Sequence, residues 1–250
     1  MFLIKRFLIF STVFLVSFTG WSKSEYTDSL FSAYLKSDMT QWKKLIDEMQ
    51  DDDLNTSDAI FTAELVNYQY GYVAWMLGNN FEDEAEDYLD IAEENLEWLE
   101  EMKYDSSMTL CYRAAFYGFR IGLNNWYVTL YGFKCGNSAE EAKRINPNNP
   151  FAYVQLANVK YYQPVVMGGS KEKAIEYYLE AESTFLKQRP EEIIDNWLYL
   201  NVLAMIAISY TEFEQYDKAK AYYEKMLVLQ PNYGWIKNDM LPSLMTKMKG

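Results

Sequence analysis

From Asn196 onward the hydrophobic positions recur at helical spacing. Leu203, Ile206, Ala207 and Tyr210 fall at i, i+3, i+4 and i+7, one face of a helix. Gln215-Tyr216-Asp217 reads as a turn. Ala219, Tyr223 and Met226 repeat the spacing on a second helix, and Pro231 stops it because proline cannot continue a helix interior. A second pair lies upstream, with Tyr153, Leu156 and Ala157 on its first helix and Ala174, Tyr178 and Ala181 on its second. A longer connection, Gln163 to Gly169, joins them, and Ser170 is placed to cap the helix that follows. The pattern predicts three earlier pairs: Tyr26–Leu35 with Thr40–Met49, Ala63–Leu77 with Phe81–Met102, and Ser107–Gly122 with Asn125–Arg144. A last helix is expected over Trp235–Met248. Only 11 Gly and 6 Pro punctuate the 250 residues, which suits long helices with short turns.

The last pair resembles the tetratricopeptide repeat, a helix-turn-helix unit of about 34 residues. With Leu200 as first position, Leu203, Ile206, Ala207, Tyr210, Ala219, Tyr223 and Pro231 match the repeat. Met226 departs from it, standing where the family prefers a small residue. The likeness is clearest over 150–188 and 200–233. It implies an all-α fold of antiparallel helix pairs stacked into a right-handed superhelix, one domain over 23–250. Asn149-Pro150, Tyr161-Tyr162, Pro164, Gly168-Gly169 and Lys173-Ala174 are also similar to exported bacterial repeat proteins associated with TRAP-type transporters. That second resemblance implies a solute-handling component tied to a transporter.

The family places ligands on the concave face formed by first helices. Its register puts Asn67 and Tyr70, then Tyr112, Phe116 and Phe119, then Phe151, Asn158 and Tyr161, then Asn201 on that face. Two alternatives stay open for these residues: an aromatic groove for a protein, peptide or small molecule, or core covered by the capping helix. The positions that clamp a carboxylate in chaperone-binding members hold no Lys or Arg here.

Residues 1–22 read as an export signal. Lys5 and Arg6 precede the apolar run Phe7–Val16, and Gly20-Trp21-Ser22 supplies the small residues of a cleavage site. The run from Phe7 to Trp21 is 15 residues, short of the roughly 20 that cross a bilayer. No Cys follows it, so an exported protein, periplasmic or secreted, is expected rather than a lipoprotein or a membrane-anchored one. Cleavage takes the net charge from −13 to −15. So acidic a chain repels nucleic acid and anionic membranes, and a neutral or basic partner is expected.

The chain has no histidine, which excludes Ser-His-Asp and Cys-His catalysis and any imidazole metal site. Eleven acids between Glu82 and Glu101 lie mostly opposite Ala85, Leu89 and Ala92, as a solvated face requires. Asp51-Asp52-Asp53 fails as a calcium loop, with Thr56 and Thr62 where Gly and Glu are needed. Gly168-Gly169 lacks the preceding strand and the Lys of a phosphate loop and reads as a connection. Cys111 and Cys135 sit on partner helices; separate buried thiols are expected, with a disulfide as the alternative. The sequence reading is therefore a binding scaffold, with no catalytic, cofactor or metal-binding residue assigned.

Overall fold

A computed structural model describes residues 24–188 and 193–249; the export signal expected over 1–22 lies outside them. The described residues hold no strand. Their helices are α1 (Thr27–Lys36), α2 (Met39–Gln50), α3 (Ala59–Gly78), α4 (Glu82–Glu101), α5 (Ser106–Leu123), α6 (Val128–Ile145), α7 (Pro150–Tyr162), α8 (Lys171–Phe185), α9 (Trp197–Glu212), α10 (Tyr216–Leu229) and α11 (Leu241–Lys247). They pack as neighbouring antiparallel pairs, α1 with α2 through α9 with α10. The expected final helix is interrupted: Ile236–Met240 forms a π turn before α11.

Local chemistry sets the ends. Asp38, Asp58, Asp105, Asn149, Ser170 and Asn196 each accept a first-turn amide on the side chain, satisfying donors that have no partner inside the helix. Ser37, Asn80, Lys103 and Glu214 adopt positive φ just past helix ends. In each case the next amide reaches back five residues, as from Phe81 N–H to the Met76 carbonyl at 3.0 Å. This is the closing motif usually served by glycine, which the chain makes without one.

The small positions read from the sequence sit where partner helices approach. Ala85, Ala92, Ala157, Ala174, Ala181, Ala207 and Ala219 have no exposed surface. Ala207→Leu should therefore force α9 and α10 apart and cost about 1–3 kcal/mol. An unchanged denaturation midpoint would mean that Ala207 is not at the contact.

The stack also closes on itself. Trp197 at the start of α9 meets Trp42 of α2 edge-on at 5.6 Å, Tyr34 of α1 at 5.8 Å and Tyr70 of α3 at 6.1 Å between ring centroids. Beyond α10, Tyr233 and Tyr34 join their hydroxyls at 2.6 Å. Gly71 makes room for this: a Cβ there would lie 2.9 Å from the Trp197 ring and 3.2 Å from Trp42. The first pair and the last thus seal the inside of the stack with indole and phenol rings, which bury the largest area per side chain.

Both cysteines are free. The Cys111 thiol accepts from Asn149 Nδ2 at 3.6 Å, and that of Cys135 faces the Ala114 carbonyl at 3.2 Å. Burial pushes the Cys111 thiol far above its ordinary range and that of Cys135 up to about 11. Thiolate is the reactive form, so alkylation of the native protein at neutral pH should be slow. Unfolded, unreduced protein should take up two labels per chain; no labels would establish a disulfide instead.

Candidate functional site

The first helices of the middle pairs, α3, α5 and α7, run parallel and line the inside of the stack. Their starts are pinned together where Asn149 Nδ2 donates to Ser107 Oγ at 2.9 Å, and their ends meet where Leu77 lies beside Gly122. Tyr70 stands at the centre of an aromatic cluster. It stacks on Phe119 at 5.5 Å and meets Phe151 edge-on at 5.2 Å, and Tyr112 closes on Phe151 at 5.0 Å.

The nine predicted groove residues divide here. Tyr70, Tyr112, Phe116 and Phe151 are buried, with Phe116 at 0% exposure. They are core and present no wall to a ligand. The cause is the closure by Trp197, Trp42 and Tyr34, which a repeat register cannot reveal because it describes one pair at a time. Asn67, Phe119, Asn158, Tyr161 and Asn201 are half-buried. Asn158 Oδ1 accepts from the Tyr178 hydroxyl at 2.6 Å. Tyr161 donates to Glu212 at 2.7 Å, and Lys171 binds the same carboxylate at 2.8 Å while lying 5.0 Å over the Tyr161 ring. These side chains knit neighbouring pairs together. Two inner donors, Gln155 Nε2 and Trp197 Nε1, are buried without a hydrogen-bond partner.

Other sequence candidates resolve into structural roles. Asp52 accepts from the Tyr26 hydroxyl at 3.2 Å and from the Leu54 amide at 2.9 Å, while Asp58 caps α3, so this acidic run shapes a turn. Among the described residues no group of three His, Cys, Asp or Glu side chains is placed to hold a metal. The acidic face of α4 is gripped from α5: Arg113 binds Glu100 at 2.7 Å, and Arg120 binds Asp90 and, at 2.6 Å, Glu93.

A different surface carries the exposed apolar atoms. Because α5 and α7 run parallel, the α5–α6 and α7–α8 turns emerge at one end of the stack in adjacent pairs. At the first turn Trp126, in the single turn Asn125–Tyr127, is 86% exposed, and on α6 Phe133 is 83% and Leu130 50% exposed, their i, i+3 spacing putting these two on one outward face. At the second, Val165 is 82% exposed, Val166 95% and Tyr162 72%. The pattern reading missed this end because it took outward positions as solvated by default. One signal was available: residues 121–139 and 145–171 contain no acid, in a chain with 36, and their charges are Lys134, Lys160 and Lys171. Single exposed hydrophobics need no explanation, but two such clusters at one end of the stack make a candidate interaction site.

No protein-family model matches the chain, and no curated protein matches it. Among solved structures, it is similar to the HusA haemophore from Porphyromonas gingivalis. The TM-score is 0.58 at 20% identity, over 76% of this chain and 94% of that one. The likeness concerns the all-helical fold. Among the described residues no helix is long and apolar enough to cross a membrane.

Proposed function

We propose that this chain is an exported, non-enzymatic binding protein of the tetratricopeptide-like helical-repeat class, and that it engages its partner through the apolar end of the α5–α6 and α7–α8 pairs. The supporting observation is the exposure of Trp126, Phe133, Val165 and Val166, all above 80%, in two segments, 121–139 and 145–171, that themselves contain no acid. The fold of paired helices supports the class, and the lack of histidine fits a role without acid–base catalysis at neutral pH. Binding in the inner groove, the sequence-based expectation, is disfavoured by the aromatic core that fills it. The transporter-linked alternative needs an open pocket beside Tyr161, and that ring is already tied to Glu212.

Photo-crosslinking tests the reading. A photoreactive residue is placed at 166, at 161 or, as an exposed position elsewhere, at 228, where Val228 is 80% exposed. Adducts from the exported fraction at 166 and not at 228 are expected. Adducts confined to 161 would return binding to the inner face.

The fold likeness to a haemophore favours a second reading, in which the same end takes a flat apolar molecule and haem is the first to try. Rings on rings supply stacking area, and Lys134, which lies 5.6 Å from the Tyr131 ring centroid, offers a cation for a carboxylate. Haemin should then quench tryptophan fluorescence in the wild type, and its apparent affinity should fall by about tenfold or more in Phe133→Ala, which keeps every tryptophan, the loss typical of a hot-spot ring. Equal titrations of the two proteins remove haem from this surface.

A further inference from the structure

We infer that the partner of the apolar end is the interfacial zone of a lipid bilayer, into which the two turns insert. This rests on reading that end as the binding surface. The first ground is shape. Val165, Val166 and Met167 form a single helical turn that projects from the stack between Pro164 and Gly168, with Val166 95% exposed. Trp126 projects likewise from the turn Asn125–Tyr127. Small-molecule sites are concave, and a protein hot spot sits in a packed pocket. These side chains instead protrude, as wedges do that enter a fluid phase.

The second ground is residue type. Indole and phenol rings favour the headgroup level, where an apolar body and a polar tip are both served. Trp126 and Tyr127 lie in the first turn, and Tyr162 ends α7 just before the second, which carries the aliphatic Val165 and Val166.

Charge complementarity is the third ground. Carboxylates resist entry into the interfacial zone, whereas lysine amines extend back to phosphate groups on long apolar stems. The two segments contain no carboxylate and carry Lys134, Lys160 and Lys171. Lys160 donates to the Gly168 carbonyl at 3.0 Å, so its ammonium already sits at the base of the projecting turn. The net charge of −13 opposes approach to an anionic surface. That repulsion is screened within about 8 Å at physiological salt. Glu212, which accepts from Tyr161 at this end, is held by the Lys171 ammonium at 2.8 Å, which offsets its charge.

The test is co-sedimentation of the mature chain with vesicles of phosphatidylcholine, and of phosphatidylcholine containing phosphatidylglycerol. Wild type should sediment with both and show a blue shift of Trp126 emission. Val166→Asp should lower the bound fraction at least tenfold. Val228→Asp, at an 80% exposed site at the far end of α10, should leave it unchanged. No wild-type binding to either vesicle overturns the inference, as does equal loss in Val166→Asp and Val228→Asp. A dimer in light scattering that Val166→Asp dissociates also overturns it, by assigning the end to a second copy of the chain. If vesicles are not bound while crosslinking at 166 still yields a protein adduct, the bilayer fails and the apolar end stands as a binding surface. If position 166 gives no adduct and no vesicle binds, both fail.

Discussion

Trp197→Ala lowers the unfolding free energy by about 3–5 kcal/mol, the range for removing a large buried ring. The ring is 7% exposed and touches Tyr34, Trp42 and Tyr70, which come from three different helices. Its Nε1 has no partner, so the substitution leaves no acceptor stranded, and the whole loss is packing and cavity. Collapse around the gap is limited, because the neighbours are themselves rigid rings at 5.6–6.1 Å. The loss should also fall unevenly along the chain. With its ring contacts to α9 gone, the α1–α2 pair keeps its packing on α3, the bonds of Asp47 and Gln50 to Tyr88 and Asn95 of α4, and the Tyr34–Tyr233 hydrogen bond, and as the terminal pair it is where proteolysis should begin. Equilibrium denaturation gives the size of the effect, and a cost under about 1 kcal/mol would show that the stack is open.

Gly169→Ala should cost about 2–3 kcal/mol, the upper range of overpacking. A Cβ at this position would stand 1.7 Å from the Gln163 carbonyl oxygen and 3.1 Å from the Pro164 carbonyl carbon. Both are backbone atoms, so no rotamer change relieves the clash. The chain is held there by three short bonds: Gly169 N–H to the Pro164 carbonyl at 3.1 Å, Ser170 N–H to the Lys160 carbonyl at 2.9 Å, and Lys160 Nζ to the Gly168 carbonyl. The turn must therefore reopen, which displaces Val165 and Val166 and should weaken whatever binds them. Gly136→Ala is the control. It lies within α6 with nothing inside 4 Å of a new Cβ, so it should stabilise by about 0.5–1 kcal/mol. Melting curves of the two variants should move in opposite directions; a neutral Gly169→Ala would mean that the turn has a second conformation available.

The helices and their pairing were legible because both come from short-range rules. Seven-residue spacing, a cap such as Ser170 and a stop such as Pro231 act within one pair, and Ala207 and Ala219 lie buried where that spacing put them. Closure was not legible. It depends on Tyr34 meeting Tyr233 across nearly the whole chain and on Trp197 reaching Trp42, contacts that no local period encodes. For that reason Tyr70, Tyr112, Phe116 and Phe151 looked the same as groove or as core. The apolar end was half legible: Leu130 and Phe133 share a helix face with no partner in their own pair, and the missing acids of 121–139 and 145–171 were countable. What remained hidden was that the two turns emerge at the same end of the stack, which follows only from the parallel course of α5 and α7.

The rings inside the stack are core, and those at the α5–α6 and α7–α8 end are the proposed working surface. Hydroxyl-radical footprinting of the native chain, read by mass spectrometry, addresses both halves at once. Trp126, Phe133 and Tyr162, at 72–86% exposure, should oxidise early, while Trp42, Tyr70, Phe151 and Trp197, all at 7% or less, stay unmodified until the protein unfolds. Early oxidation of Tyr70 and Phe151, with Trp126 protected, would contradict this division and restore an open inner groove.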